Sequence, residues 1–254
     1  MNRPLQSYRI WHSPRVGSSL LCQLLIDTQI AGNPGEHFTL HGKSSFAEKY
    51  QVESYDAFRE AFWNLSTKGQ GIAGVKSGAH HEHDQVFYQE LFAWKGLPTN
   101  SDPALLFNDL LPNCKHILLV RNNKIRQAVS WWKAIQDQTW HLSHEQTYTQ
   151  SADFYKDKYD FNALKHLYQE ATLRDIAAQA YLEQHGLSRL TIAYEDLIAH
   201  PKKVLQRVLD YLEIKFDFQQ MPAFYYQQTA NAINEEWVQR FREEFQQEFG
   251  QRVW

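Results

Sequence analysis

A polar segment near the start of the chain has the residue types of an anion-binding loop. It reads Ser-Pro-Arg-Val-Gly-Ser-Ser-Leu over residues 13–20 and follows an apolar stretch at residues 8–11, a pattern that predicts a strand, a tight turn and the start of a helix. Small residues let backbone N–H groups approach a ligand, and a helix N-terminus attracts negative charge. We therefore expect a phosphate-like group to be bound by Arg15, Gly17, Ser18 and Ser19.

The loop lacks the lysine of a common nucleotide-binding loop. In the pattern G-x-x-x-x-G-K-[ST] a lysine follows the second glycine, whereas here Ser18 follows Gly17. This difference disfavours an ordinary ATP or GTP site.

A second basic segment follows a predicted strand in the middle of the chain. The strand ends at Arg121, and the helical pattern after it carries Arg126, Ser130 and Lys133 on one face. A solvated helix face has the same residue types. Two anion sites in one chain nevertheless favour a nucleotide with two separate phosphate groups.

Four short β-rich runs are separated by segments long enough for helical crossovers. The runs are residues 8–12, 71–76, 116–121 and 190–194, and the helical patterns cover 55–68, 125–135, 160–186 and 201–212. This order is typical of a parallel sheet with helices on both faces, whose ligands lie at the carboxyl ends of the strands. Lys76, Arg121 and Tyr194 are then expected to face the same crevice as Arg15.

These elements predict an α/β fold, a three-layer sandwich like that of P-loop NTPases with a central parallel sheet. Residues 1–254 are expected to form a single domain, because one core suffices for 254 residues with 43% apolar composition. A C-terminal helical segment, about residues 220–254, packs on it. There the stripe Trp237, Phe241, Phe245 and Phe249 predicts buried core or a subunit contact.

The composition excludes several classes of protein. The net charge is −3 with twelve histidines, and no run of Lys and Arg is interleaved with aromatic residues, so nucleic-acid binding is not expected. No stretch reaches the roughly 18 apolar residues of a membrane-spanning helix, and the N-terminus lacks the apolar core of a signal peptide. A cytoplasmic protein is expected, with Cys22 and Cys114 as free, buried thiols.

One histidine-rich run has the side chains of a metal site. Residues 80–84 read His-His-Glu-His-Asp, which are zinc-ligand types. No second cluster with a fixed spacing accompanies the run, so it is interpreted as a solvated polar loop and no metal is predicted.

Six motifs together resemble those of the sulfotransferases that use 3'-phosphoadenosine-5'-phosphosulfate (PAPS). The resemblance is strongest to bacterial carbohydrate sulfotransferases of the mycobacterial trehalose 2-sulfotransferase type. The motifs occur in the family's order and span about residues 8 to 240. They are residues 14–22, 31–38, 74–76, 120–131, 194–197 with Pro201, and 234–237.

The resemblance implies how the donor is bound. The first loop would hold the 5'-phosphosulfate through Arg15, Gly17, Ser18 and Ser19, although Val16 stands where relatives carry Ser or Thr. The 3'-phosphate would be held by Arg121 and Ser130. The interval between these two is one residue longer than in animal cytosolic sulfotransferases, so Arg126 is an alternative to Arg121. Tyr194 would contact the adenine, or it ends a strand before a helix capped by Asp196.

The resemblance also implies a catalytic base. Glu36 corresponds to the proposed base of the family, with His37 and His12 as alternatives. Lys76 would stabilise the bridging oxygen of the departing nucleotide or hold the acceptor, or it forms a salt bridge at the strand end. Because a sulfuryl group carries less charge than a phosphoryl group, no metal ion is expected.

The implied function is transfer of a sulfuryl group from PAPS to a hydroxyl of a carbohydrate or glycoconjugate by in-line displacement, with 3'-phosphoadenosine 5'-phosphate (PAP) as product. The acceptor would be a small molecule or a glycolipid, bound by loops at 36–43 and 138–153, near Trp131, Trp132 and Trp140. The resemblance and the aromatic stripe suggest a homodimer. The alternatives are a kinase-like phosphoryl transferase and a non-catalytic nucleotide-binding protein with this fold.

Overall fold

A five-stranded, mostly parallel sheet forms the centre of the protein. The computed structural model describes residues 3–78, 83–140, 150–220, 231–248 and 250. The strands are β1 (Gln6–His12), β2 (Thr67–Lys68), β3 (Ile72–Ser77), β4 (Cys114–Val120) and β5 (Arg189–Ala193), in the spatial order β2-β3-β1-β4-β5. Strand β1 pairs in parallel with β3 and β4, and β4 pairs in parallel with β5, whereas β2 is antiparallel to β3.

Helices connect the strands. They are α1 (Ser18–Asp27), α2 (Phe46–Tyr50), α3 (Tyr55–Ser66), α4 (His83–Trp94), α5 (Ala104–Leu110), α6 (Lys124–Asp137), α7 (Phe161–Gln184), α8 (Tyr194–Ala199), α9 (Pro201–Tyr211) and α10 (Ala232–Glu248), with 3-10 turns at Ala152–Tyr155 and Phe218–Gln220. At two of the predicted helix starts a side chain caps the helix. Asn123 and Asp160 accept hydrogen bonds from backbone amides in the first turns of α6 and α7.

Helices pack against both faces of the sheet, because the side chains of each strand point alternately to one face and then to the other. Tyr8 and Ile10 of β1 pack into one core with apolar residues of α1 and α9. Trp11, on the opposite face of β1, packs with Leu118 of β4 and Ala178 of α7. Since successive strand residues point to opposite faces, the result is the predicted three-layer α/β arrangement.

Three predicted element boundaries were wrong. The helix predicted over residues 55–68 ends at Ser66, because Thr67 and Lys68 pair with Ala73 and Ile72 as a short antiparallel strand. Tyr194 does not end a strand but begins α8. Asp196 does not cap that helix, since the position before the first turn is occupied by Ala193, which provides no side-chain cap.

The aromatic stripe of α10 is core. Trp237 is 2% exposed and Phe241 is fully buried, and both pack with Tyr155 and Leu164. Phe249 lies outside the described residues. Cys22 is a buried free thiol, as predicted, but Cys114 is only half-buried. No helix in the described part of the chain is long and apolar enough to cross a membrane.

His116 of β4 is a buried, uncharged histidine. Its Nδ1 accepts a hydrogen bond of 3.1 Å from the indole N–H of Trp11. Burial and the nearby guanidinium of Arg9 lower the pKa of His116 to about 4 from its usual 6.5. Between these two values, the unfolded chain therefore binds a proton that the folded protein does not.

Replacing this histidine should reduce the acid sensitivity of the fold. As pH falls from 6.5 to 4, the titration of His116 lowers the free energy of unfolding by about 3 kcal/mol. In His116→Asn the amide oxygen can still accept from Trp11, but the titrating imidazole is gone. Over this pH range the free energy of unfolding of the variant should therefore fall by about 3 kcal/mol less than that of the wild type. Urea denaturation at pH 6.5, 5 and 4 measures the difference, with the exposed His166→Asn as control. Equal pH dependence in all three proteins would contradict this account.

Candidate functional site

The carboxyl ends of the parallel strands bring the predicted site residues to one edge of the sheet. The loop after β1 turns through left-handed backbone at Arg15 (φ 67°) and Gly17 (φ 80°). Helix α1 then begins at Ser18 with Gly17 as its N-cap and no side-chain cap. The first-turn N–H groups of a helix have no intrahelical acceptor, so the backbone here has the donors that the predicted anion site requires.

A buried polar network holds the loop from beneath. The Ser13 hydroxyl donates to the carboxylate of Asp175 over 2.7 Å, and Lys124 forms an ion pair with the same carboxylate. Gln127 donates to Ser13 Oγ at 2.9 Å and to the Pro14 carbonyl at 2.8 Å. Asp175 is 6% exposed and Gln127 is fully buried, so two helices fix the backbone on which Arg15 is mounted.

Arg15 lies over a small cleft at the end of α6. Its Nε donates to Ser130 Oγ at 3.0 Å, and its guanidinium also donates to the carbonyl of Trp140. The structure therefore brings together two of the predicted donor-binding residues from positions 115 residues apart. The cleft is lined by Arg15, Ser130, Lys133, Ala134, Asp137, Thr139 and Asn234.

Lys133 adds a second positive charge to this cleft. The side chain is buried, and its Nζ donates to Asn234 Oδ1 of α10 at 3.1 Å. Burial lowers the pKa of Lys133 to about 8, with Arg15 lowering it further and Asp137 opposing the shift. The ammonium form is therefore present at neutral pH, and the cleft is lined by two cations and the carboxylate of Asp137.

Arg121 and Tyr194 lie together against the loop. Arg121 donates to the backbone carbonyl of Arg15 at 3.2 Å, and its guanidinium carbon is 4.2 Å from the centre of the Tyr194 ring. A Cβ at Gly17 would be 3.0 Å from the Tyr194 ring. Both residues thus contact the anion-binding loop directly.

Arg126 is engaged elsewhere. Its guanidinium forms a two-bond ion pair with the carboxylate of Glu235 on α10, one bond being 2.7 Å long. Arg121 touches the loop, whereas Arg126 is tied to the C-terminal helix. The structure therefore places Arg121, and not Arg126, in contact with the loop.

Glu36 is held at the edge of the sheet beside the anion-binding loop. Gly35 forms a parallel bridge with Val75, and the Lys76 amide donates to the Gly35 carbonyl at 2.8 Å. The Lys76 ammonium lies 3.1 Å from Glu36 Oε1 and donates to Ser19 Oγ at 3.3 Å. Lys76 thus connects the loop to the predicted base.

The charges around Glu36 keep it ionised. Burial raises the pKa of Glu36, but the ammonium of Lys76, with smaller contributions from His12 and His41, lowers it by more, so that it lies below its usual value. The carboxylate is about one-third exposed, and His41 Nε2 lies 3.6 Å from Oε2. The group is therefore a carboxylate at neutral pH that solvent or an acceptor can reach.

The two histidine alternatives differ in environment. His37 is 7% exposed and its Nε2 donates to the Asn33 carbonyl at 2.8 Å. Burial, with a smaller effect of Lys49, lowers the pKa of His37 to about 4 despite that bond. His12 is half-buried, and its Nδ1 lies 3.4 Å from Ser18 Oγ. His12 therefore faces the anion-binding loop, whereas His37 is a structural residue.

The tryptophans near the cleft have different surroundings. Trp131 is 8% exposed and packs between α6 and α7, and the indole N–H of Trp132 donates to the Lys158 carbonyl at 2.7 Å. Trp140 is 43% exposed beside Arg15. Of the three, Trp140 has a ring surface available to a ligand.

Metal ligation has little support in the described residues. They contain no group of three or more His, Cys, Asp or Glu side chains able to hold a metal ion. The histidine-rich run at residues 80–84 lies outside the residues whose side chains are described.

Sequence reasoning missed several residues that build the site. Asp175 has a readable signal, because it occupies a position in the buried stripe of α7 between Ala171 and Ala178. A lone acid within an apolar stripe predicts a buried, paired charge. Lys49 has no such signal, because its partners are backbone carbonyls. Asn234 lies in the motif at residues 234–237, but its contact with Lys133, 101 residues away, has no local signal.

Residues 7–244 match the family model described as Stf0 sulphotransferase. The chain belongs to this family. The family resemblance noted in the sequence is therefore confirmed.

Two relatives of this Stf0 sulphotransferase are named trehalose 2-sulfotransferase. The one from Mycobacterium tuberculosis (strain ATCC 35801 / TMC 107 / Erdman) is 25% identical, over 96% of this chain and 97% of the relative. The one from Mycolicibacterium smegmatis (strain ATCC 700084 / mc(2)155) is 22% identical, over 95% of this chain and 96% of the relative. The crystal structure of a sulfotransferase from Alicyclobacillus acidocaldarius has a TM-score of 0.50 at 16% identity, covering 100% of this chain and 98% of that one, which supports the α/β fold.

Removing the buried charge beneath the loop should destabilise this Stf0 sulphotransferase. Asp175→Asn leaves the ammonium of Lys124 without its carboxylate, and breaking a buried ion pair costs about 3–5 kcal/mol. Urea denaturation at pH 7 measures the loss. The control is Asp210→Asn on the exposed face of α9, where the carboxylate accepts a hydrogen bond from Gln206. If the two substitutions lowered the free energy of unfolding equally, the stabilising role of the buried network would be contradicted.

Proposed function

We propose that this protein transfers a sulfuryl group from PAPS to a hydroxyl group of a carbohydrate or glycoconjugate. The observation that carries the proposal is the position of Lys76, which contacts both Ser19 of the anion-binding loop and the carboxylate of Glu36. A donor site and a base therefore lie on either side of one ammonium group. Membership of the Stf0 family supports sulfuryl transfer, and the names of the two relatives support a sugar acceptor.

In this proposal the two anion sites divide the donor between them. The backbone of the loop at residues 15–19 and its hydroxyls bind the 5'-phosphosulfate. Arg121 and Ser130 bind the 3'-phosphate, and Lys133 is added to them because it lines the same cleft as Ser130. Tyr194, beside Arg121, contacts the adenine.

The chemistry requires one bond to form and one to break at sulfur. The acceptor oxygen attacks the sulfur, its proton passes to the carboxylate of Glu36, and the bond between sulfur and the bridging oxygen breaks. The electron pair of that bond goes to PAP, whose new negative charge is stabilised by Lys76 and Arg15. These cations and the N–H groups of α1 supply the charge stabilisation, so the proposed reaction includes no metal ion.

Nucleotide binding and turnover test the proposal against its alternatives. PAP and ATP with Mg²⁺ are titrated into the protein by calorimetry, and tighter binding of PAP is expected. Sulfur-labelled PAPS is then offered with disaccharides, beginning with trehalose, and with glycolipids. Much tighter binding of ATP would favour a kinase-like enzyme. Binding of PAP without transfer to any hydroxyl acceptor would favour a non-catalytic nucleotide-binding protein.

Substituting the two candidate arginines should have different effects on the binding of the 3'-phosphate. Arg121→Gln should weaken PAP binding roughly 10- to 100-fold, the usual value of a hydrogen bond to a charged group, with little effect on adenosine 5'-phosphate. Arg126→Gln should change PAP affinity less than about threefold, because its guanidinium already binds Glu235. Calorimetric dissociation constants for both nucleotides measure this.

The same titrations include two reference variants. Arg15→Ala should weaken the binding of both nucleotides, since Arg15 lies between the two proposed anion sites. Arg207 is exposed on α9, so Arg207→Ala should leave both affinities unchanged. A larger loss of PAP binding in Arg126→Gln than in Arg121→Gln would reverse the assignment. Unchanged affinity in Arg15→Ala would refute the assigned role of the loop.

Removing the base should stop turnover while leaving nucleotide binding intact. Glu36→Gln keeps the shape of the side chain but cannot accept the proton, so kcat should fall about 100- to 10,000-fold. PAP affinity should stay within about threefold, because the carboxylate does not belong to the donor site. The matched control is Glu213→Gln, which removes another carboxylate bound to a lysine. Turnover by Glu36→Gln close to that of the wild type would exclude Glu36 as the base.

A further inference from the structure

Lys49 of α2 binds the backbone of the segment that carries Glu36. Its Nζ donates to the carbonyl oxygens of Glu36, His37 and Thr39, at 3.3, 2.6 and 2.9 Å. An ammonium has three N–H donors and no acceptor, so these three carbonyls match its full donor capacity. The Tyr50 hydroxyl donates to the His37 carbonyl as well, at 2.8 Å.

Helix α2 is itself fixed to the rest of the protein. The carboxylate of Glu90 on α4 accepts from the amides of Phe46 and Ala47 at 2.6 and 2.9 Å. The Phe46 side chain is fully buried among aromatic residues of α3 and α4. The ammonium of Lys49 therefore projects from an anchored helix.

The Glu36 segment is thus held on two sides. Gly35 is bonded to β3 through the amide of Lys76, and the carbonyls that follow converge on Lys49. We infer that Lys49 is a positioning residue of the proposed transfer reaction, holding the backbone at 36–39 so that the Glu36 carboxylate stays beside Lys76. The inference rests on the proposed function and assigns Lys49 no contact with substrate.

The charge state of Lys49 gives the arrangement a pH dependence. Burial lowers the pKa of Lys49 to about 8, against the opposing effect of the Glu36 carboxylate. The titratable groups that face it are Glu36 and His37, and the Tyr50 ring lies at 5.0 Å. Below about pH 8 the ammonium is present. Above that pH the neutral amine has two N–H donors for three carbonyls, so turnover should fall as pH rises through this value.

Two substitutions of Lys49 test the inference in the full-length protein. Lys49→Met, which lacks donors, should lower kcat about tenfold, leave PAP affinity within about twofold and weaken the alkaline limb near pH 8, to which Lys133 of the donor cleft also contributes. Lys49→Arg, whose guanidinium stays charged, should keep kcat within about threefold of wild type and move the alkaline limb to higher pH. Initial rates from pH 6 to 9.5, with PAP titrations, provide these values.

Hydrogen exchange followed by mass spectrometry supplies a readout that does not depend on turnover. At pH 7, Lys49→Met should lose about tenfold in amide protection at residues 36–43, with peptides from α9 unchanged. The control is Lys95→Met, because Lys95 is also half-buried, bonded to Asp109 and over a tyrosine ring. It should leave the rate profile and the protection of 36–43 unchanged.

The outcomes separate this inference from the proposed function. If no wild-type protein transfers the sulfuryl group, the proposed function fails, and the exchange measurement alone decides whether Lys49 orders the segment. If transfer occurs but Lys49→Met keeps wild-type kcat, alkaline limb and protection, the role of Lys49 is overturned. Lower protection with an unchanged rate profile would also overturn it, since Lys49 would then order the loop without serving Glu36.

Discussion

The buried carboxylate of Asp175 lies where the first strand ends and the helix after β4 begins. A charge in that position is tolerated only when it is paired and fully hydrogen-bonded. Lys124 and the Ser13 hydroxyl meet this requirement, and Gln127 extends the network to the Pro14 carbonyl. The turn at residues 13–17 therefore cannot shift without exposing an unpaired charge to the protein interior. The donors of the anion-binding loop are held in place before any ligand arrives, which is the condition for strong electrostatic stabilisation.

The remaining charges are arranged around this fixed turn. Arg15 and Lys133 line one cleft together with Asp137, while Glu36 lies beside Lys76 at the sheet edge. Lys76 interacts with both Glu36 and Ser19 of the loop. Its position explains why the Glu36 carboxylate remains ionised, and it also moderates the basicity of that group. In the proposed reaction, Glu36 would therefore be deprotonated at neutral pH, at the expense of a weaker affinity for the proton it accepts.

Much of the fold and part of the site could be predicted from the sequence because their signals are local. Short apolar runs bounded by turn residues identified four strands, and a glycine beside an arginine and two serines identified the loop. The two-residue strand β2 was missed because its conformation comes from pairing with β3 and not from its own residues. The partners of Arg126 and Lys49 were missed for a similar reason: Glu235 lies 109 residues away, and the ligands of Lys49 are backbone carbonyls. Side-chain identity does not encode contacts of that kind.

The bridge between Gly35 and Val75 also protects the fold. Strand β2 pairs only with the first half of β3, so the second half would present unpaired N–H and C=O groups to solvent. Such an edge is a template for pairing with another chain and for aggregation. The segment that carries Glu36 covers this edge through the bond from Lys76 to Gly35. Substitutions that remodel this segment therefore put solubility at risk together with the position of Glu36, which limits how freely the sequence of the segment can vary.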